Sequence, residues 1–177
     1  VLAAARAPML PGGPGIARAA DRALAALMLQ VGLGACLRHL GAAPVCGTDP
    51  IGCGGADLSH PAVLLTFAHR GVGVVVLALV LALVVVTSRD PRAVARTVAA
   101  VRVVALVAAL QVTLGLLAVW LALPIALVTL HLVGAELLFM ALLSVRLRSA
   151  LGARARGPLD GQAVAVVPVA HELARPT

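Results

Sequence analysis

The chain has 177 residues, 62% of them hydrophobic and 12% charged, with a mean hydropathy of +1.08. Soluble domains are nearer half apolar and a quarter charged, so the composition excludes a soluble globular domain and favours one small integral membrane bundle. The net charge of +7, carried by 14 arginines and no lysine, would suggest nucleic acid in a soluble protein; here it reads as cytoplasmic anchoring of helices, with membrane lipid rather than nucleic acid as partner.

Residues 1–20, rich in Pro, Gly, Ala and Arg, read as a flexible tail, and no cleavable signal sequence is evident in them. Four stretches then reach the roughly 20 residues that span about 30 Å of hydrocarbon. They lie near 22–39, 62–87, 102–122 and 124–147, within a membrane domain over 21–148, and Gly32 and Gly34 weaken the first. Residues 149–177 read as a second tail. The expected fold is therefore an all-α four-transmembrane-helix bundle. Arg6, Arg18 and Arg22 precede the first span, Arg89, Arg92, Arg96 and Arg102 fill the second connection, and Arg146, Arg148, Arg154, Arg156 and Arg175 follow the last. Only Arg38 lies in the other connections, so the positive-inside rule puts both termini in the cytoplasm and loops 38–61 and 121–124 outside, in a multi-pass protein of the cell membrane.

The first span carries QVGLG (30–34), and the third carries QVTLG (111–115). Each is followed by an outward turn and a span with a histidine in its outer third: His69 in the second, His131 in the fourth. This pattern reads as two helical hairpins duplicated in the same orientation, related by an axis along the membrane normal. Eight residues separate His69 from Pro61 and seven separate His131 from Pro124, so at 1.5 Å per residue both lie about 10–12 Å below the outer helix ends. Two imidazoles at one depth can face each other across the bundle and ligate haem iron. Gly73, Gly134 and Ala135, one turn beyond, leave room for a flat macrocycle, and Gly34 and Gly115 relieve crowding from the other two helices. A closed zinc site would want four ligands, and no Cys or carboxylate shares this depth and face.

Arg70 sits inside the second span, where facing lipid would be costly. Two readings stand side by side: it snorkels to the outer surface, or with Arg38 it neutralises a haem propionate. CGTDPIGC places Cys46 and Cys53 seven positions apart on the oxidising side, where a disulfide is expected; a structural staple and a redox-active pair are equally compatible with the sequence. Cys36 reads as a packed residue. Glu136 lies five positions after His131 and so off that histidine's face. It reads as polar support reaching Gln30 or Gln111, as a residue of a subunit interface, or as a protonated structural acid. His39 and His60 read as solvated surface, and His171 belongs to the tail.

These pieces in this order resemble the haem A synthase family of membrane proteins, and one four-helix half of it. The matching stretches are GACLRHLGAAPVCGTDPIGC (34–53), HR (69–70), QVTLGLLAVWLALP (111–124) and LVTLHLVGA (127–135). The resemblance implies that His69 and His131 ligate haem, that Cys46 and Cys53 are the family's loop cysteines, and that the chain serves terminal oxidase assembly. It further implies oxidation of the haem O methyl to the haem A formyl, with b-type haem bound and haem O and haem A as substrate and product. Two departures bear on turnover: Thr66 stands where the family's catalytic half carries a carboxylate, and His39 stands where it tends to carry a hydroxyl. No catalytic residue is assigned. Only one half is present, and a homo-oligomer would restore two sites. The competing expectation is a non-catalytic bis-histidine haem b protein that transfers electrons or carries haem.

Overall fold

The computed structural model describes residues 13–154. Four helices follow one another: α1 (Pro14–His39), α2 (Pro61–Arg89), α3 (Ala95–Trp120) and α4 (Ile125–Arg154). All four are long and apolar enough to cross a membrane, which makes the chain a multi-pass membrane protein by length and composition. Helices keep every backbone hydrogen bond internal, which hydrocarbon demands. Pro14 and Pro61 occupy first-turn positions where the missing N–H costs nothing. The N-terminus of α2 is capped by His60, whose Nδ1 accepts from the Ala62 N–H at 3.3 Å, a role beyond the surface one expected.

The helices are longer than the apolar runs suggested. Residues 14–20, expected in the first tail, are helical because Ile16 and Ala20 are fully buried. The Gly13 N–H also donates to Asp90 Oδ2 at 2.6 Å, tying the start of α1 to the end of α2. At the other end α4 continues through Ser149, itself buried, to Arg154; the remainder of the expected tail, with His171, lies outside the described residues.

Each helix packs on its chain neighbours, and α1 also packs on α4, so α2 and α4 stand diagonally across the bundle, as do α1 and α3. Arginines 18, 22, 89, 92, 96, 102, 146 and 148 gather at one end, and the α1–α2 loop closes the other. The core occupies the arginine end: Ile16, Ala20, Ala23 and Leu27 of α1 meet Val76, Val80 and Leu83 of α2, Val101, Val104 and Ala108 of α3, and Leu138, Leu142 and Val145 of α4. A buried carbon chain of this size contributes about 1.5–3 kcal/mol in water; in lipid, close packing of such side chains holds the helices instead.

Toward the loop end the packing is interrupted. No side chain is buried between Leu27 and Leu37 in α1, between Thr66 and Val76 in α2, between Ala108 and Ala118 in α3, or before Leu138 in α4. Nine residues in each of α1, α2 and α3, at 1.5 Å each, make this layer about 13 Å deep. It contains Gln30, Gly34, His69, Gly73, Gln111, Gly115, His131 and Gly134.

Candidate functional site

Both histidines enter this layer from diagonal helices, and each is half-buried. His69 lies two turns into α2 and His131 less than two turns into α4.

Each imidazole rests on the preceding helix of its own hairpin. A Cβ added at Gly34 would lie 3.2 Å from His69 Cε1, and one at Gly115 would lie 3.0 Å from His131 Cε1. Only the absence of a side chain lets the rings sit where they do. The same reciprocity recurs one turn further along: Gly73 makes room for the Gln30 amide, and Gly134 for that of Gln111.

His131 Nδ1 donates to the Gln111 carbonyl at 3.1 Å, since a carbonyl oxygen only accepts. The lone pair therefore resides on Nε2, the state in which a neutral imidazole can ligate a metal while its other nitrogen is oriented by a backbone carbonyl. The Gln111 amide returns the bond, donating to the His131 carbonyl at 2.6 Å. In the other hairpin the Gln30 side-chain amide meets His69 Nε2 at 3.2 Å. Four buried polar side-chain atoms lack a hydrogen bond among the described residues, and three belong to this layer: Gln30 Oε1, His69 Nδ1 and Gln111 Oε1. Packed interiors seldom leave such atoms unpaired, because each costs about 1–3 kcal/mol. Among the described residues no three His, Cys, Asp or Glu cluster as a metal-ion site, so the donor set is two imidazoles with amides behind them.

Arg70 follows His69 but points elsewhere. Its guanidinium donates to the Asp49 carbonyl at 2.8 Å and to the Gly52 carbonyl, and lies 5.9 Å from the Phe67 ring centroid. Those two carbonyls belong to the loop that the Cys46–Cys53 disulfide closes, with Cα atoms 4.5 Å apart. Within it Asp49 Oδ1 accepts from the Ile51 and Gly52 N–H groups at 3.0 and 2.8 Å. These two backbone donors, Gly52 foremost, hold the Asp49 carboxyl below its ordinary value. Arg70 thus joins the histidine helix to the cysteine loop, which sequence reasoning missed because backbone carbonyls leave no trace in a sequence.

The remaining expected residues are not drawn in. Arg38 is exposed at the end of α1 with no side-chain partner among the described residues. Cys36 is exposed rather than packed, since the neighbouring Leu37 takes the inward position. Thr66 is buried, and its hydroxyl donates to the Ala62 carbonyl of its own helix at 2.9 Å. Glu136 reaches neither glutamine; it is exposed on α4, about 160° round the helix from fully buried Leu138. A cavity of about 280 Å³ lined by Leu40, Ala42, His60, Pro61, Ala62 and Leu65 lies at the loop end, away from both imidazoles.

Fold and layer together define a class: a four-helix membrane bundle offering two diagonal histidines between glycine-relieved helix faces. The family model described as cytochrome oxidase assembly protein matches residues 2–143. The chain therefore belongs to the family of cytochrome oxidase assembly proteins. No match was found among curated proteins or among solved structures.

Proposed function

We propose that this membrane protein binds haem between His69 and His131 and serves terminal oxidase assembly as a haem A synthase-like protein. The observation that carries the reading is the layer without buried side chains, which holds two imidazoles and three partnerless buried polar atoms. A macrocycle bound there would fill the interrupted packing, with His131 presenting the Nε2 lone pair. Bound haem would supply one-electron redox chemistry at iron. The chain's own contribution is to orient His131 through the Gln111 carbonyl and to hold the cysteine loop by Arg70, while His69 would ligate through the Nε2 that the Gln30 amide now occupies, once that amide turns aside.

The matched Gln–Gly and His–Gly contacts in the two hairpins support duplication in one orientation, and the arginine-rich end supports cytoplasmic termini in the cell membrane. A second copy along α4 would remove Glu136 from lipid, where a charged side chain costs about 2.5–3.5 kcal/mol on insertion scales.

A second reading, a non-catalytic haem b carrier or electron-transfer protein, is favoured by Thr66, whose hydroxyl is committed to its own helix and carries no acid–base function. Reduced-minus-oxidised spectra of the purified protein test the shared part. A low-spin b-type spectrum lost in His69→Ala and in His131→Ala supports it, and retention in both refutes it. Co-expression with a source of haem O then separates the readings: haem A formed supports the synthase, and full haem loading without haem A supports the carrier.

A further inference from the structure

At the arginine end, on the side of the bundle where α1 and α2 pack together, small residues leave a groove. Arg18, Ala19 and Arg22 of α1 and Leu79, Ala82 and Val86 of α2 line an open cavity of about 270 Å³. The two arginines are one turn apart on one helix face. Among the described residues an ion pair joins Asp21 to Arg146, the Arg18 Nε donates to the Pro14 carbonyl at 3.3 Å, and Asp90 at the end of α2 accepts from the Gly13 N–H. Both arginines are exposed, and no other acid lies on this stretch of α1. Arg18 and Arg22 are within about 12 Å of the α1 terminus, the depth at which lipid headgroups meet hydrocarbon.

We propose that this groove binds one anionic phospholipid, its phosphate bridged by Arg18 and Arg22 and its glycerol and first acyl carbons lying on Ala82 and Leu79. The site is amphipathic in the sense a lipid requires, with two cations on the rim and an apolar floor beneath. Guanidinium groups match phosphate oxygens in paired hydrogen bonds, which makes arginine well suited to such a rim. Basic pockets between transmembrane helices on the cytoplasmic side hold acidic headgroups by the same chemistry. A zwitterionic lipid would bring its own cation against the arginines and is disfavoured. The inference is independent of haem and of the histidine layer.

The test is lipid retention by native mass spectrometry of the full chain, titrated with phosphatidylglycerol, with phosphatidylcholine, and with inorganic phosphate alone. One phosphatidylglycerol bound per chain in preference to phosphatidylcholine is expected. Arg18→Gln with Arg22→Gln should weaken it about 30-fold, the factor contributed by two interfacial arginines. Arg89→Gln with Arg92→Gln, an equal charge change at the same end but outside the groove, should leave it nearly unchanged. Ala82→Leu, or Ala19→Leu if the first variant fails to fold, fills the groove without altering charge and should also release the lipid. Equal loss in the Arg89/Arg92 variant would reduce the effect to diffuse surface charge and overturn the proposal. So would retention in the groove-filled protein, or displacement of the lipid by inorganic phosphate.

Discussion

Replacing Gly115 with alanine places a methyl group 3.0 Å from His131 Cε1, 3.5 Å from Nδ1 and 3.8 Å from Nε2. Ordinary contact begins near 3.4 Å, so the ring must withdraw by about 0.4 Å or more. Withdrawal is opposed by the Nδ1 bond to the Gln111 carbonyl, already 3.1 Å long, which would stretch to the limit of a hydrogen bond. Losing it costs about 1 kcal/mol and frees the ring to turn. Loss of the group that orients a metal-ligating histidine typically weakens metal binding about 10–100-fold, and that is the effect expected on haem affinity. Gly34→Ala should act in the same direction but less, because its methyl meets His69 Cε1 at 3.2 Å and Nδ1 at 3.6 Å. Gly32→Ala is the control, two residues away in the same motif with nothing within 4 Å. Haem titration into the apoprotein, followed by absorbance, gives the three dissociation constants. The reasoning fails if Gly115→Ala binds as tightly as the parent chain, or if Gly32→Ala loses as much.

Arg70→Gln removes a charge-assisted grip on the Asp49 and Gly52 carbonyls worth about 1.5 kcal/mol, so thiol reagents should reduce Cys46–Cys53 roughly tenfold faster, measured by mass shift after alkylation. Replacing both cysteines with serine should cost about 2.5 kcal/mol in the chain-entropy model, read as a lower thermal midpoint of the protein in detergent. The depressed Asp49 carboxyl means that its contribution to loop order is complete above the ordinary value of 3.8 and is lost as pH falls below it. Amide exchange at Ile51 and Gly52, corrected for intrinsic rate, should lose protection in that acid range and not above it. In the α3–α4 turn Ala122 and Leu123 both hold φ of 60°; Ala122→Gly should therefore stabilise the protein by about 1 kcal/mol, seen as a raised thermal midpoint.

The four spans were legible because hydrocarbon leaves a chain little choice: a long apolar run must close its own hydrogen bonds as a helix. The ends were not, since Arg18, Arg22, Arg96 and Arg102 break the apolar run without breaking the helix. Periodicity at Ile16, Ala20, Ala23 and Leu27 was the signal that α1 starts early. The glycine–histidine juxtaposition was readable from the recurring motif, because two elements at a fixed offset imply one geometry used twice, whereas the glutamines, expected beside Glu136, lie on the histidines instead. Arg70 was misjudged for the opposite reason. Its charge and depth narrow the choice to an anionic group or an escape to water, yet its partners are the main-chain carbonyls of Asp49 and Gly52, whose direction depends on how the loop turns.

Interlocked side chains hold all four helices together at the arginine end, whereas at the level of the histidines the described hydrogen bonds join helices only within each hairpin. On the proposed function, a macrocycle gripped by the two imidazoles would join the hairpins at the level where the core does not, so the two ends of the bundle would be held by different means.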